Sequence, residues 1–177
     1  MQLSWSHMVV YVRDLESMLD FYTRVLGFEI TDRGPVRDDS TEIVFLSQSP
    51  SEHHQLAFLT MRSERGPSNS VDHAAFRVAS LAELRELIAT LGREGVELGP
   101  RSHGNTWSVY FHDPEQNGIE IFCDTPWFVK QPVAIPWDMA LSDAELHEWT
   151  EQTFAKHEEF SELDSYYARR AEALAER

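Results

Sequence analysis

Two histidines and one glutamate lie in short apolar segments of this chain, where polar side chains are uncommon. His7 and His73 each open an apolar run, and Glu120 lies in the middle of Gly118–Phe122. A buried carboxylate without a cation costs free energy, so a positive partner is expected beside Glu120. Two imidazoles and one carboxylate without a thiolate are the ligands of an open Fe(II)-type site, and they also suit Mn, Ni or Zn. The sequence therefore predicts a metal site at His7, His73 and Glu120.

The two histidines occupy the same place in an internal repeat. A single strand histidine is more often a hydrogen-bonded core residue than a ligand. Here His73 follows His7 by 66 residues (73 − 7), and Leu91-Gly92 follows Leu26-Gly27 by 65 (91 − 26). Two such modules that pack about a pseudo-twofold axis bring equivalent positions together. The repeat therefore favours ligands over core residues.

Each copy has the hydrophobic pattern of a β-α-β-β-β unit. Alternation predicts a strand from Ser6 to Val12, with His7, Val9 and Tyr11 on one face. Helical spacing follows from Asp14 to Tyr22, and Leu26-Gly27 ends that helix. The remaining predicted strands of the first copy are Phe28–Thr31, Thr41–Leu46 and Gln55–Thr60, and the second copy covers Val71–Phe122 with its helix at about Leu81–Leu91.

The chain is expected to form one α+β domain with a helical tail. Residues 1–140 would be the domain, with modules at about 3–62 and 70–123, a polar loop at 62–70 and an extended strap rich in Pro and Trp at 124–140. Residues 141–177 would be the C-terminal helical extension. Ser142 and Glu145 have the spacing of a capping box. From Lys156 onward, an apolar stripe predicts a helix that packs on its own domain or on a partner subunit.

Composition excludes several classes of partner. The chain has 177 residues, a formal net charge of −15 and one cysteine. Strong acidity disfavours nucleic acid and anionic membranes as partners. No apolar stretch approaches the roughly 20 residues of a membrane span, and no secretion signal is expected at the start. A single cysteine excludes an internal disulfide and suits a reducing cytoplasm.

The paired modules with His7, His73 and Glu120 resemble the vicinal oxygen chelate superfamily, which includes glyoxalase I, fosfomycin-resistance proteins and type I extradiol dioxygenases. Further segments are similar to the extradiol ring-cleavage enzymes: His54–Phe58, Gly99–Gly104, Val109–Pro114 and Gly118–Phe122. The match covers about residues 3–125. It implies two βαβββ modules in an open, cup-shaped barrel of mixed β-sheet. It also implies a cofactor of Fe(II), with Mn(II) as an alternative, and a small catechol-like diol and O2 as substrates.

The resemblance also implies roles for single residues. His7, His73 and Glu120 would hold one face of the metal, and His54 would be the acid–base group. His103 and Tyr110 would hydrogen-bond the bound diol. Alternatives stay open, since His54 could be a surface histidine of a turn and Tyr110 an ordinary strand aromatic.

Strand alternation would point His53 to the face opposite His54. Arg101 and the tryptophans at 107, 127 and 137 are candidate pocket or lid residues, although core packing is favoured for each tryptophan.

The separation of His103 from Tyr110 is at the short end of the family's range. The chain departs from the dioxygenase pattern in two further ways. It has one pair of modules, like the small members of the family, and Gln116 stands where a glycine is usual after Asp-Pro, so that turn is expected to differ.

A non-redox lyase, isomerase or transferase of the glyoxalase type is the alternative function, and it would require a further ligand from the end of the first module. A metal-free binding protein is disfavoured by the complete ligand triad. The tail and the superfamily's habit predict a homo-oligomer.

Overall fold

The computed structural model describes residues 4–36, 38–67 and 70–175. The chain divides into two compact units, and each is described by itself. Unit 1 comprises Met1–Asp72 and His112–Asn117, and unit 2 comprises His73–Phe111 and Gly118–Arg177.

Unit 1 contains the first βαβββ module. Its elements are β1 (Met8–Tyr11), α1 (Leu15–Asp20) continued by a π-helical turn (Phe21–Val25), β2 (Glu29–Val36), β3 (Asp38–Ser47) and β4 (Leu56–Leu59). The strand order is β1-β4-β3-β2. β1 and β4 are parallel, whereas β3 is antiparallel to both β2 and β4. The first strand of the module therefore lies beside its last strand.

Local sequence explains the helix of unit 1. The Asp14 carboxylate caps its N-terminus by accepting from the backbone N–H of Ser17 at 3.1 Å, which satisfies one of the free amide groups of the first turn. Leu15, Met18 and Leu19 are buried on one face. Gly27 ends the segment with φ of 78°, in the left-handed region that glycine tolerates best. The predicted helix is confirmed, and its last turn is π-helical.

Unit 2 repeats the arrangement. Its module consists of β5 (Ala74–Arg77), α2 (Leu81–Arg93), β6 (Gly99–Ser102), β7 (Thr106–His112) and β8 (Gly118–Asp124), in the order β5-β8-β7-β6. β5 is parallel to β8, and β6 is antiparallel to β7. Beyond the module lie β9 (Trp127–Phe128), α3 (Asp143–Phe154), β10 (Ser161–Glu162) and α4 (Leu163–Ala175).

The α+β class and the two βαβββ modules are as predicted, but the C-terminal region differs in two respects. The Ser142–Glu145 capping box is present and begins α3. Part of the extended strap at 124–140 is a strand, because β9 pairs with β10. The helix expected from Lys156 begins only at Leu163, after Glu159 turns the chain with φ of 60°. Periodicity could not reveal either change, since the pairing partners of β9 lie more than thirty residues away in sequence.

The apolar stripe of the tail, expected to pack on the domain or on a partner subunit, is not buried within this chain. Tyr166 stacks on Phe128 with ring centroids 3.7 Å apart. Tyr167 and Leu174, which belong to the predicted stripe, are 47% and 54% exposed. None of the described residues of α4 is buried. In the described ranges 4–36, 38–67 and 70–175, no helix combines the length and the apolar character that a membrane span needs.

A buried charged network ties the 112–117 segment into unit 1. Glu115 accepts from the backbone N–H groups of Arg13 and Asp14 at 2.6 and 2.7 Å. Its other oxygen pairs with Arg62 at 3.1 Å, and the two side chains are only 2% and 6% exposed. Gln116 adopts φ of 68°, so the turn reaches the left-handed region with a non-glycine residue, at a cost of about 1–2 kcal/mol.

Asp113 is the second carboxylate of that network. It accepts from the Tyr22 hydroxyl at 3.2 Å and from the backbone N–H groups of Glu115 and Asn117. Burial raises the pKa of Asp113, and burial together with the Asp113 charge raises the pKa of Tyr22 well above its ordinary value. Tyr22 therefore remains a hydrogen-bond donor at neutral pH.

Breaking the buried pair is expected to cost far more than breaking an exposed one. Arg62→Met leaves the Glu115 carboxylate buried without its cation, which should lower the free energy of unfolding by about 3–5 kcal/mol in urea titrations. Arg24→Met is the control, because the Arg24–Asp20 pair is 52% and 58% exposed and solvent screening makes its contribution to stability small. Equal losses in the two variants would contradict the assignment of Arg62 and Glu115 as a structural pair.

Candidate metal centre

The parallel pairing of β5 and β8 places His73 beside Glu120. Ala75 lies opposite Glu120 in the ladder, and His73, two residues earlier, shares the face of Ala75. The His73 Nε2 is 3.1 Å from the Glu120 Oε2, and the two side chains are 31% and 10% exposed. Two ligands of one metal at bond lengths of about 2.1 Å and at right angles lie about 3 Å apart. The pair therefore fits two adjacent ligand positions.

His103 and Tyr110 lie on the same face of unit 2. The His103 Nε2 is 2.9 Å from the Tyr110 hydroxyl and 3.8 Å from the Glu120 Oε1. The rings of Tyr110 and His73 are 5.3 Å apart between centroids. Four of the six residues singled out in the sequence are thus gathered within unit 2.

The strap fixes the tautomer of His103. Its Nδ1 is 2.6 Å from the carbonyl oxygen of Val133, and a carbonyl can only accept, so Nδ1 carries a proton. In the neutral ring Nε2 is then the acceptor, and the Tyr110 hydroxyl donates to it. The Gln131 amide also donates to the His103 carbonyl at 2.7 Å. Sequence reasoning missed Val133 and Gln131, since a backbone carbonyl 30 residues away leaves no signal in side-chain spacing.

Gly104 allows the chain to turn at His103. Its φ is +79°, and a Cβ there would lie 2.3 Å from Cγ2 and 2.8 Å from Cβ of Val129. These distances are far below ordinary contact, and the left-handed backbone is itself unfavourable for other residues. Only glycine fits this position without displacing Val129.

Unit 1 contributes His7 and His54. Their ring centroids are 4.2 Å apart. The prediction that His53 and His54 alternate across a strand is wrong, because β4 begins only at Leu56. The Nδ1 atoms of His53 and His54 are instead 3.0 Å apart, and both rings contact Phe45. Burial lowers the pKa of His54, with smaller contributions from the nearby charges of His7 and His53, so His54 is neutral at neutral pH.

The two modules differ at the position of the carboxylate. In unit 2, Glu120 lies opposite Ala75, two residues after His73. In unit 1, Ala57 lies opposite Val9, two residues after His7. Ala57 is therefore the equivalent of Glu120. The first module repeats the histidine but not the acid.

The expected ligand set is divided between the units, with His73 and Glu120 in one and His7 in the other. In the part of the chain that the structure describes, no group of three or more His, Cys, Asp or Glu side chains is assembled that could hold a metal ion. His73 and Glu120, with 3.1 Å between Nε2 and Oε2, are two side chains of the expected set that the structure brings together. Imidazole nitrogen and carboxylate oxygen suit Fe(II), Mn(II) or Zn(II).

The tryptophans considered for the pocket serve the core. Trp107 is 2% exposed and donates through Nε1 to the Thr150 hydroxyl at 2.8 Å. Trp137 is 3% exposed and donates to the Ser108 carbonyl at 3.1 Å. Trp127 is also buried, at 9% exposure. Core packing, which the sequence favoured for each tryptophan, is confirmed.

Comparison with known proteins identifies the family. Residues 4–121 match the glyoxalase/bleomycin resistance protein/dioxygenase superfamily. The chain belongs to this superfamily. A catechol-2,3-dioxygenase of Bacillus subtilis (strain 168) is 32% identical over 120 residues, which are 65% of this chain and 39% of that protein. A lactoylglutathione lyase of Neisseria meningitidis is 30% identical over 118 residues, covering 64% of this chain and 86% of the lyase.

A solved structure supports the same superfamily fold. The glyoxylase/bleomycin resistance protein/dioxygenase domain from Frankia sp. EAN1pec superposes with a TM-score of 0.60 at 22% identity, and the match covers 71% of this chain and 94% of the Frankia domain. At this identity the likeness shows the fold alone. The matched part of this chain spans about two-fifths of the length of the Bacillus dioxygenase. The activity of that whole protein is therefore not assigned to this chain by similarity alone.

Substitution of Gly104 should disturb the site as well as the fold. Gly104→Ala introduces the clash with Val129 and forces an unfavourable backbone, so it should lower the free energy of unfolding by about 1–3 kcal/mol. Gly92→Ala is the matched control, because Gly92 lies in α2 and a Cβ there would enter open space; this variant should be neutral or stabilise by up to about 1 kcal/mol. Denaturant titration measures both. Loss of stability in Gly92→Ala but not in Gly104→Ala would contradict the requirement for glycine at position 104.

Proposed function

We propose that this protein is an Fe(II)-dependent extradiol dioxygenase that opens the ring of a catechol-like diol with O2. The observation that carries the proposal is the hydrogen-bonded pair of His103 and Tyr110 beside the pair of His73 and Glu120. A metal ligand pair alone fits any member of the superfamily. The His103 imidazole and the Tyr110 phenol on the same face add groups that can hold a diol and accept its proton.

The ferrous ion would be held by His73 and Glu120 of unit 2, and His7 of unit 1 would complete the set. Glu120 is only 8% exposed, and in the described residues no lysine or arginine pairs with it. A metal cation would compensate this carboxylate. When bound, ferrous iron supplies the redox chemistry that O2 requires and lowers the pKa of a coordinated hydroxyl.

The protein's own groups would orient the diol and move its protons. The Tyr110 hydroxyl, 2.9 Å from the His103 Nε2, would also hydrogen-bond a substrate oxygen. His103, held by the Val133 carbonyl, keeps Nε2 available as an acceptor. His54 is neutral at neutral pH because its pKa is lowered, so it can accept a proton from the second hydroxyl.

A non-redox lyase or isomerase is the second candidate, supported by the similarity to the Neisseria lyase over 86% of the length of that enzyme. That reading needs a further ligand or base at the end of the first module. The equivalent of Glu120 there is Ala57, which has no metal-binding group. The register of β1 and β4 therefore favours a three-ligand set with open positions for diol and O2.

Oxygen consumption separates the two candidates. Protein loaded anaerobically with Fe(II) should consume O2 in proportion to an added catechol and form a yellow ring-opened product. Zn(II)-loaded protein should bind the diol and consume none, because zinc has no redox chemistry. An oxygen electrode measures both. Turnover with Zn(II), Ni(II) or Mn(II) without oxygen uptake would support the lyase and overturn the dioxygenase proposal.

Ligand substitutions are the control for that experiment. His73→Ala should leave a folded protein that retains less than stoichiometric iron, measured by elemental analysis after desalting. His157→Ala removes an imidazole from an exposed position outside the site and should keep both iron and oxygen uptake. Full iron occupancy in His73→Ala would remove His73 from the proposed ligand set.

His54 is expected to matter for turnover rather than for metal binding. His54→Phe should keep its iron and lower kcat by on the order of 10²-fold if His54 transfers a proton. His53→Phe is the matched control, since the His53 side chain is 57% exposed and its ion partner Asp32 lies 4.0 Å away at the surface. A larger loss in His53→Phe than in His54→Phe would show that the acid–base role is assigned to the wrong histidine.

A further inference from the structure

Arg101 lies on the face of unit 2 that carries His73, Glu120, His103 and Tyr110. In the antiparallel ladder of β6 and β7, Gly99 lies opposite Tyr110 and Arg101 lies opposite Ser108. Opposed residues share a face of the sheet, and residues two apart on a strand also share a face. Arg101 is therefore a diagonal neighbour of Tyr110 on the same face, about 7–8 Å away between Cα atoms.

The charge of Arg101 is not compensated in the described residues. Its guanidinium makes one hydrogen bond there, from Nη1 to the carbonyl of Pro100 at 2.7 Å, and no carboxylate of these residues lies within ion-pair distance. The side chain is half-buried. The two other arginines of the described residues that are not exposed, Arg62 and Arg85, pair with Glu115 and Asp143.

Arg77 provides the contrast on the same face. It lies four residues after His73, and its guanidinium is 2.5 Å from the Asp124 carboxylate and over the ring of Phe122 at 5.0 Å. The charge of Arg77 is thus neutralised by the protein. Of these two arginines, Arg101 is the one whose planar set of N–H donors remains open to an anion.

We propose that Arg101 binds a carboxylate substituent on the ring of the substrate, which makes the substrate an aromatic diol acid rather than a plain catechol. The inference rests on the proposed function and names its substrate class. Guanidinium pairs with carboxylate through two parallel hydrogen bonds, which fix orientation as well as contribute affinity. One end of the diol acid is held by Tyr110 and His103, and the carboxylate end by Arg101.

Matched substrates test the proposal in the iron-loaded protein. Protocatechuate carries a ring carboxylate, and its methyl ester has a similar shape without the charge. The wild-type protein should prefer the acid in kcat/KM, and Arg101→Met should reduce that preference about 10- to 100-fold. Arg77→Met removes an equal charge from the same face and should keep the preference. An unchanged ratio in Arg101→Met, or an equal change in Arg77→Met, overturns the proposal.

Reversing the charge excludes a merely structural role. Arg101→Glu should prefer an aminomethyl-substituted catechol over protocatechuate, whereas a variant with only a damaged site would lose both substrates alike. Circular dichroism and thermal unfolding check that each variant is folded. Loss of both substrates by the same factor in a folded Arg101→Glu protein counts against the proposal.

A binding measurement separates this inference from the proposed function. Benzoate and benzamide carry no diol, so calorimetric titration of the metal-free protein does not depend on iron or on ring cleavage. Benzoate should bind the wild-type protein more tightly than benzamide, and Arg101→Met should remove the difference. If no diol is turned over but this difference holds, the proposed reaction fails and the anion site stands. If the diols are cleaved but benzoate and benzamide bind alike, the anion site fails.

Discussion

The parallel pairing of first and last strands is the constraint on which each module depends. A histidine that precedes the first strand is brought beside the last strand, although more than forty residues separate the two in the chain. In unit 2 this places His73 within 3.1 Å of Glu120. In unit 1 it places His7 beside His54, with ring centroids 4.2 Å apart. Because side chains on paired strands share faces, the ladder also determines which other residues can join them.

Two buried glutamates, Glu115 and Glu120, differ in the groups that compensate their charge. Arg62 and two backbone N–H groups compensate the charge of Glu115, and these contacts hold the 112–117 segment in unit 1. Glu120 has only the imidazoles of His73 and His103 as ionic neighbours in the described residues. A buried carboxylate that the protein itself leaves undercompensated is the one suited to a metal cation.

The two modules differ at the position of Glu120, and this difference favours the dioxygenase proposal over the lyase or isomerase. Both modules retain a histidine before the first strand, but the position of Glu120 is occupied by Ala57 in the first. The strap, which follows the second module, adds the Val133 carbonyl that fixes the His103 ring, and Gly104 within that module permits the turn at His103. The second module thus carries His73, Glu120, His103 and Tyr110 together, and the strap that follows it fixes the ring of His103.

The sequence by itself determined the two βαβββ modules, the helix in each and the cap of α3, because periodicity and capping are local properties. It also singled out His73, Glu120, His103 and Tyr110, which the structure gathers on one face. The tertiary structure alone decided that β4 begins after His54, that β9 pairs with β10, and that Arg62 neutralises Glu115 but no side chain neutralises Arg101 within the described chain. These features depend on partners distant in sequence, and compensation of a buried charge is a property of its surroundings rather than of its neighbours along the chain.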